Sequence, residues 1–318
     1  MEVIKQNPDY TARIKEKALS IGFDLIGITR VRNLSENEAV LKKWCGSGMN
    51  GRMRYLSENT EKRANPLLVF PGAKSVIVSG MNYFTNNKQR QHDVPVISRY
   101  ALGKDYEDVI KEKLKILLDY IKTLQKDAEG RIFVDSGPVL EKAWAMEAGL
   151  GWQGRHSILI NKDFGSFLFL GILFVSLELD YDNPCNEEGC GACRLCINKC
   201  PVGAINDNRT IDARKCISYI NIESKNPIPE DLIPELGGRL FGCDLCQEVC
   251  PWNKNVKPHK TAEFDISEEL ADMTKEEWRT ISEEKYIRLF SESPVRRIRY
   301  DIIKRNIDLI LADQSLKI

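Results

Sequence analysis

Several common classes of protein are excluded by what this sequence does not contain. No G-x-G-x-x-G follows a strand-like segment, so the usual dinucleotide-binding fingerprint is missing. Lysine and arginine number 46, and so do aspartate and glutamate. Bulk charge therefore argues neither for nor against a nucleic-acid partner, and only local clusters can speak. The longest uncharged, mostly apolar stretch is FGSFLFLGILFVSL, residues 164–177. A membrane helix needs roughly 20 such residues, so this run reads as one or two buried strands. The start, MEVIKQNPDY, carries charges where an export signal needs an apolar run. A cytoplasmic location with no membrane association is the expectation. No repeat of solenoid period is evident either.

Hydrophobic residues make up 42% and charged residues 29% of the 318 positions, an ordinary balance for a globular protein. The length implies about two domains. YTARIKEKALSIG (10–22) has helical spacing and a glycine placed to cap it. DLIGITR (24–30) and AKSVIVSGMNY (73–83) read as strands. In KDYEDVIKEKLKILLDYIKTLQKDA (104–128), Tyr106, Ile110, Leu114, Leu117, Ile121 and Leu124 recur at threes and fours, the mark of an amphipathic helix. RIFVD (131–135) is a short strand leading through a Ser-Gly turn into a helix from Pro138 to about Ala148. The pattern predicts an α+β or α/β domain with a mixed sheet over residues 1–180. From 181 to 258 cysteine, proline and glycine dominate and long periodicity disappears, as in a metal-stapled module. Residues 259–318 form a short helical tail.

Eight of the ten cysteines lie between positions 190 and 250. Cys190, Cys193, Cys196 and Cys200 follow C-x2-C-x2-C-x3-C with Pro201 next, the bacterial ferredoxin spacing, in which the fourth cysteine serves the other cluster of a pair. Cys243, Cys246 and Cys250 repeat the ending before Pro251, and Cys216 completes the count. One [4Fe–4S] cluster is thus assigned Cys190, Cys193, Cys196 and Cys250. The other takes Cys200, Cys216, Cys243 and Cys246. Zinc also favours C-x2-C pairs, but three ligands crowded onto one loop fit a cluster better. Cys45 and Cys185 are left as unliganded thiols.

The segment VDSGPVLEKAWAMEAGLGWQGRHSILIN (134–161), with SRYALGKDY (98–106), CISYINIE (216–223) and FGCDLCQEVCPWN (241–253), resembles the epoxyqueuosine reductase family. The resemblance runs in order from about residue 10 to 312. It implies reduction of the epoxide of epoxyqueuosine to queuosine at the wobble position of tRNA, with cobalamin and two [4Fe–4S] clusters. It also implies an amino-terminal cobalamin domain similar to that of reductive dehalogenases, followed by a ferredoxin-like part and helices. The chain has no D-x-H-x-x-G motif for ligating cobalt by histidine, and its only histidines are His92, His156 and His259. A nucleophilic cobalt centre prefers few axial ligands, so that absence suits the chemistry.

By the same resemblance, Asp135 is the proton donor to the departing epoxide oxygen. Read alone, it is a turn carboxylate capping the next helix. An aspartate acting as an acid at neutral pH needs burial beside an apolar group with no cation close by, which makes Lys142 relevant. Arg63, Ser98, Asp135, Arg155, His156, Ser157, Leu170, Glu223 and Asp244 fall where the family touches cobalamin. The basic stretch 294–305 offers Arg296, Arg297 and Arg299 to tRNA phosphates of the anticodon stem-loop, with a solvated helix face as the plain alternative. An unidentified electron donor is implied. The rival readings are a cobalamin-dependent reductive dehalogenase-like enzyme and a plain iron–sulfur electron carrier.

Overall fold

The computed structural model describes residues 8–313. A four-stranded sheet organises the amino-terminal part: β1 (Leu25–Arg30), β2 (Ser75–Asn82), β3 (Gly130–Phe133) and β4 (Leu168–Val175), in the order β1-β2-β4-β3. Every pairing in it is antiparallel. The mixing expected within one sheet lies instead between sheets. The parallel pairing belongs to a separate ribbon of Val96–Ile97 with Arg239–Phe241. Apolar periodicity reveals that a strand exists but carries no information on its direction. The long apolar run is the central strand β4, with both faces covered.

Alternation along the strands divides two cores. Ile77, Met81, Leu173 and Val175 face α1 (Pro8–Ser20) and α2 (Tyr106–Leu124), where Ile14, Ile110, Leu114 and Leu117 complete one core. Val76, Val78, Ile172 and Phe174 face α3 (Glu141–Glu147), with Trp144 and Ala145. β1 approaches the end of α3 so closely that a Cβ on Gly27 would lie 2.2 Å from the Ala148 carbonyl oxygen. Gly27→Ala must displace backbone. A loss of about 1–3 kcal/mol, read as a lower unfolding midpoint in denaturant, is expected.

α3 begins three residues later than Pro138 implied. The Glu141 side chain accepts a hydrogen bond from the Asp135 backbone N–H at 2.6 Å, so residues 136–140 are spent on a turn. The module after 181 has only short helices, among them α4 (Leu195–Lys199), α5 (Ile217–Ile222) and α6 (Leu245–Glu248). A third core joins Ile97, Ala101 and Leu102 to Leu240, Phe241, Trp278, Phe290 and the buried face of α7 (Tyr300–Ala312). The tail is thereby strapped to the segment that leads into α2. Among the described residues no helix is long and apolar enough to cross a membrane.

Candidate active site and cluster-binding cysteines

The eight clustered cysteines gather into two groups of four. Cys190, Cys193, Cys196 and Cys250 line a cavity of about 260 Å³ together with Arg155, His156, Leu195 and Trp252. Burial first, then the neighbouring thiols of Cys190, Cys196 and Cys193, push the Cys250 thiol up to about 11, against a backbone hydrogen bond at Trp252. In the second group burial pushes Cys243 up to about 11, with Cys216 close enough to add to it. Cys246 is raised well above the usual thiol range by burial, then by Cys243 and Cys216. Cys200 acts on Cys216 in the same way. Among the described residues no three His, Cys, Asp or Glu side chains converge as a single bound ion requires. A cavity ringed by four thiols suits a larger body, an iron–sulfur cluster, which needs the same ligand type at its corners. Cys185 packs at the edge of the first group, and Cys45 lies apart, near Arg63.

Asp135 ends the turn after β3 with its carboxylate 48% exposed and its backbone in the left-handed region, φ +54°. It does not cap α3, whose N-terminus receives no side-chain hydrogen bond. Its Oδ2 instead accepts from the Tyr106 hydroxyl at 2.8 Å and lies 3.4 Å from Nη1 of Arg297. The absence of a nearby cation, expected from sequence, is therefore not met. Lys142 is not the cause: its ammonium donates to the Ser157 carbonyl at 2.6 Å. Glu141, behind the loop, is raised to about 8 by burial and then by Asp135. Its Oε1 accepts the Asp135 N–H.

The other residues expected around cobalamin fall on two sides of this loop. Arg63 donates to the carbonyls of Tyr55 and Gly137, while its Nε is buried without a partner. Arg155 donates to the Gly191 carbonyl at 2.8 Å, and its Nε is likewise unpartnered. His156 is 1% exposed, and burial, with Lys142 nearby, lowers its imidazole to about 4. Its Nδ1 accepts from the Ile158 N–H, which leaves Nε2 as a buried N–H donor with no acceptor. Ser157 follows with φ +63°. Leu170 lies on β4, packed against the α3 core. Ser98 and Asp244 come together at the cluster loop, where Asp244 Oδ2 accepts from the Arg99 N–H at 2.9 Å and Ser98 abuts Gly242. Burial raises the Asp244 and Glu223 carboxyls. Arg63 Nε, beside the Asp135 loop, and Arg155 Nε and His156 Nε2, beside the first thiol cavity, are buried donors without protein acceptors, as a ligand rich in amide and phosphate oxygens would need.

The arginines offered to RNA part company. Arg296 pairs with Asp108 at 2.9 Å and Asp105 at 3.2 Å. Arg297 pairs with Glu107 and Asp135. Only Arg299 is mostly free to solvent, 79% exposed with Asp301 as partner. Sequence reasoning missed Tyr106, Glu141 and Arg297 as neighbours of Asp135. Tyr106 was legible only as the first apolar position of a helix, although it closes the SRYALGKDY motif. Arg99 was also missed. It is buried beside Asp244 and Glu248 and held by the Thr85 carbonyl.

Comparison with known proteins accounts for this arrangement. Residues 189–253 match the model of a 4Fe-4S double cluster binding domain. Residues 63–136 match the model described as "Epoxyqueuosine reductase QueG, DUF1730". The epoxyqueuosine reductase of Cellulophaga algicola is 43% identical over 297 residues, 93% of this chain and 96% of that protein. That of Escherichia coli is 40% identical over 306 residues, 95% of this chain and 80% of that protein. A solved epoxyqueuosine reductase with an epoxyqueuosine-modified tRNA-Tyr stem loop superposes with a TM-score of 0.85 at 29% identity, over 97% of this chain and 83% of that one. A Bacillus subtilis relative, solved with its catalytic aspartate loop swung out of the active site, gives a TM-score of 0.86 at 28% identity, over 96% of this chain and 81% of that one. With relatives this similar along nearly its whole length, the chain belongs to the epoxyqueuosine reductase family of oxidoreductases.

Proposed function

We propose that this enzyme reduces the epoxide of epoxyqueuosine in the anticodon stem-loop of tRNA, giving queuosine in the last step of its biosynthesis. Residues 1–180 bind cobalamin and carry Asp135, and residues 181–258 bind two [4Fe–4S] clusters through the two groups of four cysteines. Arg63, Arg155 and His156 hold the corrin by their unpartnered buried donors, with Ser98, Ser157, Leu170, Glu223 and Asp244 around it. Bound there, cobalamin would supply a reduced, strongly nucleophilic cobalt able to collect electrons that arrive one at a time.

One observation supports this reading above others: four thiols, Cys190, Cys193, Cys196 and Cys250, ring one cavity beside Arg155 and His156. Cys246, in the second group, lies close enough to both Cys196 of the first group and Asp244 to feel their charges. Tyr100 packs edge-on against Tyr106, whose hydroxyl donates to Asp135, and against Phe241 next to the Cys243 loop. An electron donor can approach the first group at Leu195, which lines its cavity and is 46% exposed. Asp135 is the proton donor to the opening epoxide oxygen; half exposed and beside Arg297 here, it takes that role only once bound corrin and substrate bury its carboxyl.

The test is anaerobic reconstitution with iron, sulfide and cobalamin, followed by mass analysis of nucleosides from an epoxyqueuosine-containing stem-loop. Stoichiometric corrin retained through gel filtration, together with conversion to queuosine, is the expected result. Protein that holds both clusters but neither corrin nor activity would return the chain to a plain electron carrier. For RNA contact the exposed Arg299 is the informative arginine. Arg299→Gln is expected to reduce the slope of log affinity against log salt by about one for the stem-loop. An unchanged slope would return 294–305 to a solvated surface.

A further inference from the structure

The loop that carries Asp135 is held in a conformation it would not choose alone. A residue with a Cβ is disfavoured at φ +54°, and such a state persists where its surroundings over-determine it. The loop tip is also exposed at Asp135 and Ser136, so burial does not supply the restraint. Side chains from three separate elements do. Glu141 on α3 accepts the Asp135 N–H at 2.6 Å. Tyr106, at the start of α2, donates its hydroxyl to Asp135 Oδ2 at 2.8 Å. Its ring is fixed by stacking on Phe169 of β4, 4.3 Å between centroids and 7° between planes.

The third element is the tail. Arg297, in the turn Pro294–Arg297, reaches Asp135 Oδ2 with Nη1 and Glu107 with Nη2. Glu107 in turn accepts from the Ser136 hydroxyl at 3.0 Å. Arg297 therefore restrains two consecutive loop residues, one directly and one through Glu107, and its guanidinium also lies over the Tyr106 ring. The turn that carries it is itself anchored. Arg296 pairs with Asp105 and Asp108, the Ser293 hydroxyl donates to the Ala101 carbonyl, and the Asp105 N–H donates to the Glu292 carbonyl.

We propose that Arg297, with Tyr106 and Glu141, is a positioning residue that clamps the Asp135 loop over the reacting centre, and not a phosphate anchor. The proposal rests on Asp135 as proton donor. It gives the carboxy-terminal tail a task in catalysis that is separate from RNA binding. The strained backbone supplies the tendency to leave, and the clamp sets how often the carboxyl is in place.

Hydrogen exchange of the loaded enzyme tests this without relying on turnover. In Arg297→Gln the amides of Asp135 and Ser136 are expected to exchange at least tenfold faster, with the four-stranded sheet and the cluster module unchanged. Arg297→Lys should recover part of that protection, since one ammonium can reach Asp135 but cannot also hold Glu107 in a fork. Tyr106→Phe should loosen the same two amides less, and the double variant should fall short of the sum, as expected for residues acting on one loop. In single turnover Arg297→Gln should slow conversion about ten- to hundredfold with stem-loop affinity nearly intact. Wild-type exchange at Asp135 and Ser136, or loosening spread evenly through the tail, would overturn the clamp. So would lost RNA affinity with an unchanged single-turnover rate. Failure of the proton-donor reading is told apart by Asp135→Asn, which would then convert substrate at the wild-type rate whatever the loop exchange.

Discussion

Asp135→Asn is expected to slow single-turnover conversion of the epoxide by about 10²–10⁴, the usual worth of general acid catalysis. The substitution keeps the size of the side chain, and its amide oxygen can still accept from the Tyr106 hydroxyl 2.8 Å away. It removes the transferable proton and the pairing with Arg297. Iron, corrin and stem-loop affinity should stay at wild-type levels, because none of the cysteines touches this carboxyl. The measurement is a rapid-quench assay of enzyme reduced beforehand, so that electron delivery does not limit the rate. Near-equal rates for variant and wild type would remove Asp135 from the chemistry. Asp135→Ala is a poorer probe, because it frees Tyr106 as well as Arg297 and so changes the loop further.

The second large effect is expected at Cys250. Cys250→Ala should leave about four of the roughly eight irons expected for two clusters, and abolish turnover driven by an external reductant. The reason is geometric. Cys250 is the member of the first thiol group contributed from outside the 190–196 loop, and it lines the same cavity as Cys190, Cys193 and Cys196. Losing it opens one corner of that cavity, while Cys200, Cys216, Cys243 and Cys246 keep their neighbours. Cys45→Ala is the matched control and should retain the full iron content, since Cys45 lies near Arg63 and away from both groups. Equal iron loss in both variants would mean that the assignment of ligands is wrong.

Much of this molecule was legible because its signals are local. Helix α2 follows from apolar residues at threes and fours, and Ile110, Leu114, Leu117 and Ile121 are the ones it buries. The apolar run 164–177 was readable as strand because it is too short to span a membrane, and it is β4. The cysteine spacing foretold the double-cluster module, since three thiols with two-residue gaps have to share a loop. Asp135 was found through the motif around it, whereas its role as a helix cap, the reading from local position alone, is not what the structure contains.

What the sequence by itself determined, then, is which segments are helix and strand, and which stretch is the double-cluster module. These depend on periodicity and on short spacings along one stretch of chain. Only the tertiary structure decided that the sheet is antiparallel throughout, because residue alternation is the same for either strand direction. Only packing brought Arg297 to Asp135 across 162 positions of sequence, turning an arginine offered to RNA into a neighbour of that carboxyl. No periodicity links two such residues. Their meeting depends on the third core, where Ile97, Ala101 and Leu102 bury themselves against the tail and carry its basic turn to the start of α2.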